Sequence, residues 1–121
     1  MGAPVVHFEI ISKNAKGTQS FYKELFDWNI DTNNPMEYGV VDTKAGKGIN
    51  GGIGKPMDDT YPGHFTIYVE VADLQKTLDK VEQLGGKTVM PPAEIPGQTP
   101  PLSIAQFTDP DGRLMGLSKG M

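Results

Sequence analysis

The chain has 121 residues, no cysteine and a formal net charge of −4. This length fits one compact domain. The lack of cysteine excludes a disulfide scaffold, a thiolate metal site and a cysteine nucleophile. The acidic balance disfavours a nucleic-acid binder, which normally carries a basic patch, and the 15 glycines and 10 prolines predict many turns and short strands.

The first half of the chain predicts a strand, a helix and three further strands. Residues 5–11 are dense in β-formers, which favours a strand. Phe21 and Leu25, at i, i+4 spacing, favour a helix over residues 13–26 with these side chains in the core. Three short strands follow, the last rich in glycine: residues 27–30, 38–42 and 48–54.

The second half repeats this order after a polar segment with two prolines, residues 55–63, which reads as a linker. Asp73 is a good helix N-cap, and the apolar residues Leu74 and Leu78 follow it at helical spacing. Residues 91–101 hold half of the prolines and predict an irregular loop. The predicted strands are residues 64–71, 87–90, 102–108 and 113–118.

A short internal repeat supports duplication of this unit. The sequence His-Phe-x-Ile begins at His7 and again at His64, 57 residues later. Each copy opens a strand that is followed by a helix and more strands. We therefore predict an α+β fold of two β-α-β-β-β modules, residues 1–57 and residues 58–121.

Polar side chains share one face of each opening strand, because side chains alternate along a strand. His7 and Glu9 lie opposite Phe8 in the first strand, and His64, Thr66 and Tyr68 form the matching face in the second. Histidine titrates near neutral pH, so it suits ligand binding or acid–base work. The alternatives are local hydrogen bonding for the histidines, exposure to water for Glu9, and space filling rather than ligand stacking for Tyr68.

The glycine-rich strand has two interpretations. Glycine in a strand lets a ligand approach the backbone closely, or it marks β-bulges in a curved sheet. Under the first interpretation Asn50 and Gly52 are candidate ligand contacts.

These features together resemble the vicinal oxygen chelate superfamily, which includes glyoxalase I, extradiol dioxygenases, and the bleomycin and fosfomycin resistance proteins. The resemblance covers essentially the whole chain. It implies curved mixed sheets that enclose a cleft, with helices outside, and a homodimer. The matching pieces are His7, residues 21–28, Gly51-Gly52-Ile53, His64, Leu84-Gly85-Gly86 and Asp109-Pro110-Asp111-Gly112.

The resemblance also bears on a metal site. In metal-binding members, the first and fourth strands of each module supply the ligands, and His7 and His64 match two of these positions. Gly116 stands where the second module would carry glutamate, and residues 49–54 contain no carboxylate. The expected metal site is therefore incomplete, and no cofactor is expected. The alternative is a Zn, Ni or Fe site on His7 and His64, with Asn50 or Gln106 as a third ligand.

The resulting prediction is a protein that binds a small molecule in the cleft between the modules. The first alternative is a metal-dependent, glyoxalase-like lyase or isomerase, or a dioxygenase, using His7 and His64. The second is a metal-independent enzyme with His7, Glu9 or His64 as acid or base. The candidate ligand-binding residues are His7, Glu9, Asn50, Gly52, His64, Thr66, Tyr68 and Gln106.

The expected location is the cytoplasm. No apolar stretch approaches the ~20 residues of a membrane span, and the N-terminus lacks the pattern of a signal peptide. Partners other than a small molecule and a second copy of the chain, such as nucleic acid or membrane, are not expected.

Overall fold

The structure is a computed structural model that describes residues 2–56, 58, 62–97 and 101–121. No helix in these ranges is both long enough and apolar enough to cross a membrane. The predicted α+β class is confirmed. The elements are β1 (Val5–Ser12), α1 (Ala15–Phe26), β2 (Asn29–Asp31), β3 (Gly39–Asp42), β4 (Gly51–Gly54), β5 (Gly63–Glu70), α2 (Leu74–Gln83), β6 (Lys87–Ile95), β7 (Leu102–Thr108) and β8 (Leu114–Lys119).

The chain divides into two compact units. The first unit runs from His7 to Thr66, and the second combines the start of the chain, through Val6, with Ile67–Met121. In the first unit β1 pairs parallel with β4. Strand β4 pairs antiparallel with β3, and β3 pairs antiparallel with β2. In the second unit β5 pairs parallel with β8. Strand β8 pairs antiparallel with β7, and β7 pairs antiparallel with β6. The two units thus share one β-α-β-β-β connectivity.

The core of the first unit lies between α1 and its sheet. Ile10, Val41 and Ile53 are buried there, and Phe8 and Trp28 pack against them. The Trp28 ring lies 5.4 Å from the Phe8 ring, centroid to centroid. Trp28 therefore serves core packing on the face of β1 that carries Phe8.

The prediction that Phe21 and Leu25 are core residues is wrong, since 59% and 56% of their surfaces are exposed. Helix α1 instead turns Gln19 and Tyr22 toward the sheet. The Gln19 carboxamide Nε2 donates to the backbone oxygen of Ile53 at 2.7 Å. A satisfied polar group can be buried at little cost, so apolar periodicity did not fix the rotation of this helix.

The core of the second unit follows the sequence pattern closely. Leu74 and Leu78 on α2 are buried against Ala105 and Leu117, as their spacing predicts. The Asp73 carboxylate accepts a hydrogen bond from the backbone N–H of Lys76 at 3.0 Å, which confirms the N-cap.

The prediction of an irregular loop from residue 91 is wrong, because β6 continues to Ile95. Register shifts occur between Thr88 and Met90 and between Met90 and Ala93, and the second of these spans Pro91 and Pro92. Strand β6 is the last strand in the order β5-β8-β7-β6. A proline is tolerated in such an edge strand because no further strand needs a hydrogen bond from its missing N–H. The predicted loop's residues 98–100 lie outside the described residues.

Candidate functional site

Four side chains of the first unit form a connected group, here called the polar cluster: His7, Glu9, Tyr38 and His64. Strand β1 carries His7 and Glu9, β5 carries His64, and Tyr38 immediately precedes β3. Since side chains alternate along β1, the cluster lies on the face opposite Phe8 and the core. The predicted His7, Glu9 and His64 are thus brought together.

Tyr38 lies at the centre of the polar cluster. Its hydroxyl Oη donates to Glu9 Oε2 at 3.0 Å, and it lies 3.0 Å from His7 Nε2. A phenol has one proton. The contact with His7 Nε2 is a second hydrogen bond of the same hydroxyl, and its direction follows the tautomer of His7.

Burial keeps His7 neutral. Removal from water disfavours the imidazolium and lowers the pKa of His7 from 6.5 to about 4. At neutral pH the His7 ring is therefore uncharged.

The fourth member, His64, approaches the same carboxylate from β5. Its Nε2 lies 3.6 Å from Glu9 Oε1. The side chains of His64 and Glu9 keep 18% and 13% of their surface exposed. A molecule that reaches this face of the sheet can therefore contact both groups, in an environment where polar interactions are stronger than in water.

Two local features hold Tyr38 in place. The Asn34 side chain brackets its backbone, donating to the Tyr38 oxygen at 2.7 Å and accepting from the Tyr38 N–H at 2.9 Å. The ring lies against the glycines of β4: a Cβ on Gly52 would be 2.0 Å from Tyr38 Oη, and one on Gly54 would be 2.6 Å from Cδ1. The bare backbone of β4 thus accommodates a tyrosine ring of the chain itself.

A similar pairing occurs in the second unit. A Cβ on Gly116 would lie 2.5 Å from Cδ2 of the buried Tyr68 ring. The Gln106 carboxamide Nε2 donates to Tyr68 Oη at 3.1 Å. The predicted residues Tyr68 and Gln106 are thus in contact with each other, within the second unit.

Of the remaining predicted residues, Asn50 hydrogen-bonds to the backbone and Thr66 is buried. Asn50 Oδ1 accepts from the Thr43 N–H at 3.1 Å, between β3 and β4. Thr66 is 5% exposed and lies on β5, two residues after His64. Tyr38 is the member of the cluster that sequence reasoning missed, and the alternating glycines 52 and 54 were the signal that a large ring covers them.

Comparison with known proteins identifies the family. The model of the Glyoxalase/Bleomycin resistance protein/Dioxygenase superfamily matches residues 5–116. The chain belongs to this superfamily. The comparison with curated proteins gave no match.

Solved structures of low sequence identity share the fold. A member of the superfamily from Vibrio splendidus 12B01 superposes with a TM-score of 0.67 at 13% identity, covering 98% of this chain and 99% of that one. Methylmalonyl-CoA epimerase from Mycobacterium tuberculosis gives 0.70 at 12% identity, covering 97% and 87%. A Streptomyces coelicolor methylmalonyl-CoA epimerase in complex with 2-nitronate-propionyl-CoA gives 0.64 at 14%, covering 97% and 94%.

Metal binding is common in this superfamily, but the polar cluster as arranged does not fit a divalent cation. The Tyr38 hydroxyl lies 3.0 Å from His7 Nε2 and 3.0 Å from Glu9 Oε2, so it occupies the space between these two donors. In the described ranges, no three His, Cys, Asp or Glu side chains are grouped to hold a metal. The donor chemistry is that of a hydrogen-bonded network.

Proposed function

We propose that this superfamily member binds a small molecule at the polar cluster, without a divalent metal. The observation that carries the proposal is the chain of contacts from His7 through Tyr38 and Glu9 to His64 on one strand face. A few convergent polar groups in a mostly buried setting are typical of ligand sites.

The charges of the cluster indicate what kind of group it would hold. Glu9 is the acidic member, and His7 is neutral because its pKa is about 4. Such a site favours a ligand group that donates hydrogen bonds or carries positive charge, placed against Glu9 and His64.

Ligand-dependent thermal stabilisation tests the proposal. The probes are bleomycin, methylmalonyl-CoA and 2-nitronate-propionyl-CoA, taken from the names of the family and the solved neighbours. We expect at least one to raise the Tm of the wild-type protein, because binding to the folded state alone stabilises it. The Glu9→Gln variant should lose this rise, and Glu24→Gln, an exposed change on α1, should keep it. A rise that survives Glu9→Gln would contradict the assignment to the polar cluster.

A second candidate function is metal-independent acid–base catalysis, which a specific contact favours. The hydroxyl of Tyr38 lies between a carboxylate and an imidazole, and its oxygen is 3.0 Å from the hydrogen-bonding atom of each. This arrangement can take up and return a proton. Incubating methylmalonyl-CoA with the protein in D₂O tests it by mass spectrometry. Deuterium uptake that is lost in Glu9→Gln would favour the enzyme, and binding without uptake would favour the binding protein.

The homodimer expected for this superfamily is supported by exposed apolar side chains of the first unit, here called the apolar face: Phe21, Leu25, Phe26 and Phe65. Phe65 is adjacent to His64 in β5, so it points away from the polar cluster, to the side where α1 packs. It is 70% exposed, and Phe21, Leu25 and Phe26 on α1 are each more than half exposed. Apolar side chains can pack against their own copies, as the self-complementary interface of a two-fold dimer requires.

A further inference from the structure

We infer that a groove along helix α1 of the first unit, here called the lysine groove, is a separate binding site for a small phosphate ester. The groove consists of two adjoining cavities of about 290 and 250 Å³, which share Lys16, Gln19 and Glu37 as lining residues. Together the cavities reach the size of small-molecule sites, which begin at about 300 Å³. None of the four residues of the polar cluster lines them, so this inference is independent of the proposed function.

The first argument is the charge of the lysine groove. Four lysines line it, from the residue before α1, from α1 itself and from the residue after β4: Lys13, Lys16, Lys23 and Lys55. Of the described lining residues, only Glu37 is acidic. The whole chain has a net charge of −4, so this local excess of positive charge runs against the overall balance. Lysine ammonium groups bind phosphate as compact point charges.

The ion pair within the groove leaves this charge available. Lys16 Nζ lies 3.8 Å from Glu37 Oε2, but the two side chains keep 86% and 66% of their surface exposed. Such a pair contributes little, because water screens it and both side chains stay free to move. Lys16 can therefore turn from Glu37 to the phosphate group of a ligand at small cost.

The second argument is the placement of lysines at the start of α1. The N-terminal end of a helix is positive, so acidic residues are favoured there and lysines are not. The first turn of α1 nevertheless contains no acidic residue. It carries Lys16, and Lys13 lies just before the helix. A bound anion would relieve the repulsion between these charges and the helix end. Departures from a local rule of this kind are expected at functional sites.

The third argument is a buried carboxamide that lines both cavities. Gln19 is 8% exposed, and its Nε2 donates to the backbone oxygens of Ile53 and Glu37 at 2.7 and 3.5 Å. Within the part of the chain that the structure describes, no group donates to its Oε1. This oxygen can accept from a ligand hydroxyl, whereas the hydroxyls of Ser20 and Thr32, which also line the groove, can donate to phosphate. A phosphate ester of a hydroxylated compound suits both sets of groups.

Isothermal titration calorimetry at low ionic strength tests the inference, with ribose 5-phosphate, ribose and inorganic phosphate as probes. The proteins are wild type, the double variant Lys16→Gln/Lys55→Gln, and the control Lys76→Gln/Lys80→Gln, which removes two exposed lysines of α2. We expect the groove variant to bind ribose 5-phosphate at least about tenfold more weakly than the other two proteins, because charge-assisted hydrogen bonds are lost. Ribose and inorganic phosphate should each bind wild type more weakly than the ester does.

Three results would overturn the inference. The first is no binding of ribose 5-phosphate by wild type. The second is an equal loss of affinity in the two double variants, which would indicate general attraction to positive charge. The third is inorganic phosphate binding as tightly as the ester, which would exclude recognition of the ligand hydroxyls by Gln19.

Amide ¹H–¹⁵N spectra locate the bound ester and separate this site from the polar cluster. Shifts on addition of ribose 5-phosphate should be largest at residues 13–23, and the Glu9→Gln variant should show the same shifts. Shifts centred on His7 and His64 instead would exclude the lysine groove. Loss of binding in Glu9→Gln alone would likewise assign the ester to the polar cluster.

Discussion

At the scale of single residues, His7 is a partly buried base that stays neutral, and this has a consequence for stability. Burial lowers the pKa of His7 to about 4 in the folded protein, against an ordinary value of 6.5. Between these values the unfolded chain binds more protons than the folded one. The free energy of unfolding therefore rises with pH from about 4 to 6.5, and this contribution is lost as the pH falls through that window.

The expected loss between pH 7 and pH 5 is about 1–2 kcal/mol, after allowance for the partial exposure of the ring. Urea unfolding of the wild type and His7→Gln at both pH values measures it. Glutamine cannot take up a proton in this range, so the variant should lack this part of the pH dependence. An identical pH dependence in the two proteins would show that His7 is not the group responsible.

At the scale of elements, the contact of the Tyr38 ring with Gly52 and Gly54 leaves no room for a side chain at these two positions of β4. We expect Gly52→Ala to lower the free energy of unfolding by about 1–3 kcal/mol, because its Cβ would lie 2.0 Å from Tyr38 Oη. Chemical denaturation measures this loss. Gly2→Ala is the control, since an added Cβ there meets nothing within 4 Å. In a Tyr38→Ala background the penalty of Gly52→Ala should largely vanish, and a full penalty there would exclude the ring as its cause.

The elements that were predictable are those whose patterns are local. The N-cap Asp73 and the buried pair Leu74 and Leu78 could be predicted because capping and helical periodicity depend on neighbouring residues. The rotation of α1 could not, because it depends on the contact of Gln19 with the backbone of Ile53, 34 residues away. The same holds for β6, which pairs with β7 through prolines that local rules place in a loop.

The candidate site divides in the same way. His7, Glu9 and His64 could be selected from alternation and the internal repeat, both visible in the sequence. Glycines 52 and 54 indicate that a ring covers β4, but they do not identify it as Tyr38, whose position depends on the hydrogen bonds of Asn34 to its backbone and on the ring contact itself. The contacts that give the cluster its chemistry are therefore those of long sequence separation.

At the scale of the whole molecule, we propose that the apolar face of the first unit is the contact surface of a homodimer. Aromatic side chains bury about 150–250 Å² each, so four partly exposed apolar residues offer roughly 400 Å². That is about half of the roughly 800 Å² that each partner contributes to a standard interface. The face can therefore form the centre of a dimer interface surrounded by polar residues.

We expect Phe65→Asp to convert the protein to a monomer, because a carboxylate at the centre of an apolar interface is left without a partner. Light scattering coupled to size exclusion measures the mass in solution. The control is Met36→Asp, which changes an exposed apolar residue outside this face and should leave the dimer intact. A wild-type protein that is monomeric at all concentrations would contradict the dimer outright.

The two prolines of β6 have a consequence for how the sheet of the second unit ends. Pro91 and Pro92 lie at a register shift in the last strand of that sheet. Proline has no N–H to donate, so the outer border offers an interrupted row of hydrogen-bond donors to any passing chain. Natural sheets use such interruptions to resist the addition of foreign strands. The prolines therefore make this edge of the sheet a poor template for strand addition and aggregation, although their composition predicts a loop.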